Sequence, residues 1–215
     1  DVEMSDEGTS AYVYENQSAG QYRLVMFDAV GALIEATQFG EGQCSGGASG
    51  RAVGMNRASG EVIVACELGV GTGRHYQRFD ITGIPIDDPM IAVPSADSDM
   101  WDYFAVQMKD DGEFVFLFRD ADSVWNATFY DAAGDITTTI ATGLPSSSGN
   151  HERLLVTSDG YFVLGGGGGS REGSAVDGEM IGSPPEGAKV RIDGMDNVFR
   201  LTESEILVAP YPLYE

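Results

Sequence analysis

Acidic residues are the first candidates for chemistry in this sequence, because three short stretches place several oxygen ligands close together. Hard cations such as calcium bind to several carboxylate or carbonyl oxygens within one tight loop. None of the three stretches has the complete spacing of an EF-hand or of a nonapeptide calcium repeat. The sequence therefore predicts calcium as a candidate ligand, with an ordinary solvated loop as the alternative. The three stretches contain Asp97, Asp99 and Asp102; Asp120, Asp122 and Asn126; and Asp193, Asp196 and Asn197.

Aromatic residues provide a second candidate site. Sugars stack their apolar faces on exposed rings such as Trp101 and Tyr103. Trp101 lies in a predicted loop between Asp99 and Asp102, and Tyr103 begins the predicted strand from Tyr103 to Met108. We therefore predict Trp101 and Tyr103 as ligand-binding residues, with packing inside the protein as the alternative. Trp125 lies within a predicted strand, where a core position is expected.

Catalytic residues are not evident from the sequence. Glycoside hydrolysis requires two carboxylates that face a sugar, and the sequence does not show which pair of acids converges. His75 and His151 are the only histidines of the chain, and no nucleophile motif accompanies them. We predict no catalytic residue and favour a protein that is not an enzyme, although the sequence leaves that question open.

Two kinds of covalent modification are compatible with the sequence. The chain has two cysteines, Cys44 and Cys66, which form either one disulfide or two separate thiols and are too few for a structural zinc cluster. Asn16 and Asn126 each begin the Asn-x-Ser/Thr pattern that accepts glycans in secreted proteins. Both predictions apply to a chain that leaves the cytoplasm.

The charge balance excludes several kinds of partner. Lys and Arg total 12 against 34 Asp and Glu, which gives a formal net charge of -22. Phosphate backbones and anionic membrane surfaces repel such a chain, so nucleic-acid binding is excluded, and no apolar stretch predicts membrane insertion. An acidic surface keeps a protein soluble in extracellular surroundings. The chain begins at Asp1, which is typical of a processed or excised segment.

A repeat organises the elements that must position these residues. Gly8, Gly60 and Gly112 are each 52 residues apart, and Gly160 follows after 48. Each of the first three precedes two strand-like runs, the second of which ends in an aromatic-Asp-x-x-Gly turn. In such a turn Asp caps the backbone and Gly supplies a positive φ angle. The three turns are Phe27-Asp28-Ala29-Val30-Gly31, Phe79-Asp80-Ile81-Thr82-Gly83 and Tyr130-Asp131-Ala132-Ala133-Gly134.

The repeat predicts the fold class. Four candidate strands per segment and a period near 50 residues are typical of a β-propeller blade, and no amphipathic helix is visible. We predict one all-β, β-propeller-like domain over residues 1–215, with about four four-stranded blades. The run from Glu113 to Phe118 is apolar on both faces, which predicts an inner strand. The approximate repeats are 8–59, 60–111, 112–159 and 160–209.

Two of the repeat units carry a family resemblance. Asp111-Gly112-Glu113-Phe114-Val115 and Asp159-Gly160-Tyr161-Phe162-Val163 resemble propeller-type repeats of large secreted bacterial proteins, with short turn motifs that cover most of the first three segments. The resemblance implies the architecture. The degenerate repeats, the acidity and the lack of a catalytic signature predict an extracellular or cell-surface module that is not an enzyme and that binds a protein, either another copy or another surface component, through self-assembly or adhesion. The alternative is a lectin or a glycan-active hydrolase that uses the mouth of the propeller.

Overall fold

A computed structural model describes residues 2–16, 21–39, 51–67, 73–88, 90–93 and 104–141, and from residue 153 onward the backbone of seven strands. All regular structure in these residues is β-strand, and nineteen strands form five antiparallel sheets of consecutive strands. The predicted all-β fold of four-stranded, propeller-like sheets is therefore confirmed.

The five sheets follow one another along the chain. Sheet 1 contains β1 (Val2–Met4), β2 (Ser10–Asn16), β3 (Gln21–Phe27) and β4 (Leu33–Phe39). Sheet 2 contains β5 (Arg51–Met55), β6 (Val62–Glu67), β7 (Arg74–Phe79) and β8 (Met90–Val93). Sheet 3 contains β9 (Ala105–Met108), β10 (Phe114–Arg119), β11 (Trp125–Tyr130) and β12 (Ile136–Ala141). Sheet 4 contains β13 (Arg153–Val156), β14 (Tyr161–Gly166), β15 (Gly169–Ser174) and β16 (Met180–Gly182). Sheet 5 contains β17 (Lys189–Ile192), β18 (Asn197–Leu201) and β19 (Ile206–Pro210).

The repeating glycine occupies the turn between the first and second strands of a sheet. Gly8, Gly60 and Gly112 have φ angles of 86°, 75° and 88°, in the left-handed region that glycine adopts without steric cost. The second strands of sheets 1 to 3 begin at residues 10, 62 and 114, so the glycine period and the sheet period coincide.

The sheets differ from the four predicted segments in their boundaries and, within the described residues, in their number, which is five. Because the glycine turn follows the first strand, a segment that begins at the glycine starts one strand late. β5 (Arg51–Met55), predicted as the last strand of the first segment, pairs with β6 and opens sheet 2. The predicted fourth segment, 160–209, contains strands of two sheets, β14 to β16 and β17 to β19.

Sheet 2 lies between sheets 1 and 3 and buries both of its faces. In β6, Val62 and Val64 pack in one core with sheet 1, whereas the alternate residues Ile63 and Ala65 pack in a second core with sheet 3. Full burial of a Val or Ile side chain contributes about 1.5 to 3 kcal/mol to the stability of the fold.

We call the side of a sheet toward the preceding sheet its leading face and the opposite side its trailing face.

Sheet 3 is held to sheet 2 by aromatic rings. Phe114 stacks on Tyr130 with ring centroids 4.6 Å apart, and Tyr76 of sheet 2 makes a T-shaped contact with each of the two rings. All residues from Phe114 to Phe118 are buried, which confirms the predicted inner strand. Trp125 is also buried, at a strand position that the sequence assigned to the core.

The first strands of successive sheets contact one another in the order β1, β5, β9, β13 and β17. Gly54 of β5 permits a close approach to β9, because a Cβ atom there would lie 2.8 Å from the Cα of Gln107 and from the carbonyl oxygen of Val106. The sheets are therefore arranged around their first strands, as propeller blades are.

Candidate interaction surface at the hairpin turns

One end of sheets 1 to 3 is formed entirely by hairpin turns. In an antiparallel sheet of consecutive strands, the turn between strands one and two and the turn between strands three and four lie at the same end. We call the surface formed by these six turns the turn face. It comprises residues 5–9, 28–32, 56–61, 80–88, 109–113 and 131–135.

Hydrogen bonds between neighbouring sheets join the turns into one surface. The backbone N–H of Asp6 donates to the carbonyl oxygen of Arg57 at 3.0 Å. One repeat later, the side-chain amide of Asn56 donates to the carbonyl oxygen of Asp110 at 3.1 Å. Arg78 donates through Nη1 to the carbonyl oxygen of Ala132 at 2.6 Å. The turn face therefore continues across three sheets.

The predicted Asp-x-x-Gly turns have one shared geometry. The Oδ1 atom of Asp28 accepts hydrogen bonds from the N–H groups of Val30 and Ala32, at 3.0 and 2.7 Å. Asp80 and Asp131 accept the same pair of bonds from residues two and four positions further on. These carboxylates close turns, as the sequence predicted.

The Thr82 hydroxyl adds a further donor to Asp80. Its hydrogen bond, 2.6 Å long, lowers the pKa of the Asp80 carboxyl. Slight burial opposes this shift, and the N–H groups of Ile84 and Thr82 reinforce it. Asp80 therefore retains its negative charge on the turn face at neutral pH.

The turn face carries a large surplus of negative charge. Its two cationic residues are Arg57 and Lys109, and its acidic residues are Asp6, Glu7, Asp28, Glu61, Asp80, Asp87, Asp88, Asp110, Asp111, Glu113, Asp131 and Asp135. Lys109 is buried and lies 2.6 Å from Glu113 and 3.0 Å from Asp111. Burial alone would lower the pKa of Lys109, but hydrogen bonds to these two carboxylates outweigh it and raise the pKa. The positive charge of Lys109 is thus neutralised by these two carboxylates within the turn face.

Arg78, at the edge of this surface, is also engaged internally. Its Nε atom lies 2.6 Å from the carboxylate of Asp87, and Nη1 lies 3.9 Å from that of Glu61. Burial raises the pKa of Glu61, and the positive charge of Arg78 opposes that shift. Exposed carboxylates such as Glu7, Asp111 and Asp135 consequently dominate what a partner would meet.

Aliphatic side chains stand between these carboxylates. Val30 is 88% exposed, and Ile84 and Ile86 are also exposed. Apolar residues within a charged rim are a recurring feature of protein-binding surfaces. The turn face therefore offers both charge and apolar area to a partner.

Asp120 and Asp122, predicted as metal ligands, lie in the β10–β11 hairpin at the opposite end of sheet 3. Oδ1 of Asp120 accepts from the N–H groups of Asp122 and Val124, at 3.0 and 2.8 Å, and Oδ2 accepts from the Asn126 amide at 2.7 Å. Both oxygens of Asp120 therefore close the hairpin. Within the part of the chain that the structure describes, no group of three or more His, Cys, Asp or Glu residues could hold a metal ion.

The β10–β11 hairpin repeats the Asp-x-x-Gly geometry with serine in place of glycine. Ser123 has a φ of 64° and is the one residue other than glycine with a positive φ among the described residues. The sequence motif did not identify this turn because it required glycine at the fourth position, where this turn has Ser123. The aspartate at the first position, Asp120, is the signal that could have identified it.

Most other predicted site residues lie outside the described residues. These are Cys44, Asp97, Asp99, Trp101, Asp102 and Tyr103. Cys66, at the end of β6, is disulfide-bonded. Asn16 ends β2, and the Asn126 amide donates to both Asp120 and Val124, bonds that compete with attachment of a glycan. His75 is buried in β7, and burial lowers its pKa.

Solved structures share this fold at low sequence identity. The WD40 domain of coronin from Toxoplasma gondii superposes on 92% of the chain with a TM-score of 0.55 and 8% identity. The AfRom2 CNH domain covers 97% with a TM-score of 0.52 and 11% identity, and a eukaryotic initiation factor covers 95% with a TM-score of 0.52 and 13% identity. This chain spans 54%, 62% and 49% of those three chains, respectively.

The remaining comparisons limit what these likenesses establish. No family model and no curated protein matches the chain. No helix among the described residues is long and apolar enough to span a membrane. Sheet order, the stacking of the first strands and the superposed WD40 domain together identify the fold as that of a β-propeller.

Proposed function

We propose that this chain is a protein-binding module that uses its turn face to recognise a partner carrying positive charge and aliphatic side chains. The observation that carries the proposal is the continuity of the turn face, in which hydrogen bonds between sheets join the β1–β2, β5–β6 and β9–β10 turns to one another and β7 to the β11–β12 turn. A fixed surface loses little conformational entropy when a partner binds, which favours recognition.

The charge of the turn face defines the partner. Lys109 is neutralised by Asp111 and Glu113, so the exposed carboxylates have no competing cation at that position. A surface with a large surplus of negative charge attracts positively charged partners and increases the rate at which they associate. Salt screens this attraction and so weakens the effect. The exposed Val30, Ile84 and Ile86 provide the apolar contacts that slow dissociation.

We place this module outside the cell, at a cell surface where it contributes to adhesion. Disulfides persist mainly in oxidising compartments, and Cys66 is disulfide-bonded. We propose Cys44 as its partner, since the sequence has no other cysteine. Mass spectrometry of the secreted chain, digested without reduction, should yield a peptide that joins the two residues. Free thiols at both positions would contradict this placement.

A matched pair of charge reversals tests the binding surface. Asp135 and Asp122 are exposed carboxylates in hairpin turns of the same sheet, but only Asp135 lies on the turn face. A random peptide library panned on the chain should yield sequences rich in Lys, Arg and aliphatic residues. Asp135→Lys should weaken binding of those peptides, whereas Asp122→Lys, with the same change in net charge, should not.

Two results would reject the turn face as the binding surface. Enriched peptides without basic residues would remove the electrostatic argument, and equal losses in both variants would show a general effect of net charge. Isothermal titration calorimetry at low and high salt supplies the affinities, and urea denaturation of each variant confirms that it remains folded.

The predictions of calcium and of a glycan ligand concern other parts of the chain. Asp97, Asp99, Trp101, Asp102 and Tyr103 lie outside the described residues, and Asp120 and Asp122 lie in the β10–β11 hairpin at the opposite end of sheet 3. Both stay predictions from the sequence. Calcium titration followed by calorimetry tests the first, and a glycan array tests the second. Glycan binding that Asp135→Lys leaves unchanged would favour a lectin that uses the opposite end of the sheets.

A further inference from the structure

We propose that the partner of the turn face binds through an extended segment that pairs with β12 (Ile136–Ala141) and adds a fifth strand to sheet 3. The basic residues of that segment then lie beside the β11–β12 turn. This inference rests on the proposed function and deepens it, because it specifies the conformation of the partner and the strand that it contacts. It follows from a comparison of the outer edges of sheets 1 to 3.

The strand register defines which residues of the three outer edges are equivalent. In each sheet, the aromatic residue before the Asp-x-x-Gly turn pairs with one residue of the outer edge. These pairs are Phe27 with Leu33, Phe79 with Pro85, and Tyr130 with Ile136. In sheets 1 and 3 a register shift follows this pair, after which Met26 pairs with Glu35 and Phe129 with Thr138. Glu35 is therefore equivalent to Thr138.

The outer edges of sheets 1 and 2 carry features that hinder pairing with a further strand. In sheet 1 the carboxylate of Glu35 accepts a hydrogen bond from the N–H of Ala36 at 2.9 Å, so the strand uses that donor itself. In sheet 2 the residue opposite Phe79 is Pro85, which has no N–H to donate. Charged side chains and proline are common means by which proteins prevent pairing at a sheet edge.

β12 has neither kind of protection. At the positions of Glu35 and Ala36 it has Thr138 and Thr139, and none of its six residues is charged or is proline. Five of the six are β-branched, and four of the six are exposed. β-Branched residues favour strands. Among the described strands β12 pairs with β11 alone, so it offers a regular edge to which an extended segment can bind.

The turn that precedes β12 specifies the chemistry of the segment. β12 begins at Ile136, directly after the exposed Asp135 of the turn face, and runs away from that face. Every strand pair of sheet 3 is antiparallel, so a segment that pairs in the same way ends beside Asp135. Basic residues after its strand meet the negative charge of the turn face there. A second copy of this chain would instead bring a further net charge of -22.

Two synthetic peptides of identical composition test the direction of pairing. Each contains three Thr-Val repeats and three lysines, which follow the repeats in one peptide and precede them in the other. The peptide with the lysines at its C-terminus should bind about tenfold more tightly in isothermal titration calorimetry, because antiparallel pairing brings its lysines to the turn face. N-methylation of single backbone nitrogens in its repeats should weaken binding at every second residue, because alternate N–H groups of a strand face its neighbour.

Thr138→Glu gives β12 the protection that sheet 1 has. Its carboxylate can accept the N–H of Thr139, as Glu35 accepts that of Ala36, so the peptide with C-terminal lysines should bind about tenfold more weakly. An added negative charge alone would strengthen binding of a basic peptide, so the sign of the effect separates strand pairing from net charge. Thr37→Glu, at a half-buried threonine of β4, is the matched control and should not weaken binding. Urea denaturation confirms that both variants are folded.

Three results would overturn the strand pairing: equal affinities of the two peptides, N-methylation losses without alternation, or unchanged binding by Thr138→Glu. If Asp135→Lys still weakens binding in these cases, the turn face stands without the added strand. A peptide that Thr138→Glu weakens and Asp135→Lys does not would refute the turn face, and with it the position of the basic residues. Sedimentation velocity without peptide tests a second copy as the occupant, because self-association that Thr138→Glu abolishes would overturn the assignment to a basic partner.

Discussion

Sheets 1 and 2 share a repeat, a strand order and a register, yet they differ in how many of their faces are covered. Val64 of sheet 2 is 1% exposed between two sheets, whereas Tyr12, at the equivalent position of sheet 1, is 41% exposed. Burial in this fold therefore depends on whether a neighbour is present and not on the strand itself. The hydrophobic effect stabilises the joints between sheets more than the sheets alone.

The residue types at equivalent positions of sheets 1 and 2 reflect this difference in how many faces are covered. The trailing faces of both sheets are apolar, with Ala11 and Val13 in sheet 1 and Ile63 and Ala65 in sheet 2. On its leading face the second strand of sheet 2 has Val62 and Val64, whereas that of sheet 1 has Ser10 and Tyr12 at the equivalent positions. Each repeat thus keeps a common backbone design while its leading face is adapted to its neighbour.

Removal of a large side chain from a covered joint should have the largest effect on stability. Phe116 is fully buried between sheets 2 and 3, at the position equivalent to Tyr12. Phe116→Ala should reduce the free energy of unfolding by about 3 to 5 kcal/mol, because it leaves a cavity in a packed core. Tyr12→Ala should cost less than about 1 kcal/mol, because its site is already exposed. Urea denaturation measures both values, and similar losses would disprove the contrast between the sheets.

The joint between sheets 1 and 2 should respond to pH through Glu3. Burial raises the pKa of the Glu3 carboxyl to about 7, against a smaller opposing effect of the positive charge on Arg57. The folded chain therefore holds a proton that the unfolded chain releases above about pH 4.5. Stability should fall as the pH rises from about 4.5 to about 7, by at most about 3 kcal/mol.

Glu3→Gln isolates this contribution from the repulsion among the other carboxylates. The variant should match the original chain at low pH and exceed its stability at pH 8, because the amide carries no charge to bury. The control is Glu7→Gln, at an exposed residue of the β1–β2 turn. The stability of this control relative to the original chain should not rise between low pH and pH 8. Chemical denaturation across this pH range checks the prediction. Parallel curves for the original chain and Glu3→Gln would refute it.

The spacing of glycine and aspartate predicted the turns of the fold, because the geometry of a turn depends on its own few residues. Gly60 needs a positive φ and Asp80 closes its hairpin with its own side chain, so both signals are readable without knowledge of the neighbouring sheets. The apolar run of Phe114 to Phe118 likewise predicted a strand buried on both faces. Signals of this kind fix strands and turns, but they do not assign a strand such as β5 to its sheet.

The turn face could not be predicted because its defining contacts join distant residues. The bond from Arg78 to Ala132 spans 54 positions and follows from the stacking of sheets, which no local pattern encodes. Aspartates in one tight loop instead suggested calcium at Asp120 and Asp122. The structure shows that a single aspartate can use both of its oxygens within a hairpin, a competing role for the same residue type.

The smallest predicted effect concerns two hairpins with the same geometry in sheets 1 and 3. Gly31 has a φ of 81° in the β3–β4 turn, and Ser123 holds the equivalent turn position of β10–β11 with a φ of 64°. A side chain in the left-handed region costs about 1 kcal/mol, so Ser123→Gly should stabilise the chain by up to that amount. Gly31→Ser should destabilise it by a similar amount, although no atom lies within 4 Å of the added Cβ. Thermal denaturation followed by circular dichroism measures both shifts. A lower melting temperature for Ser123→Gly would show that the serine side chain stabilises its hairpin more than the backbone conformation costs.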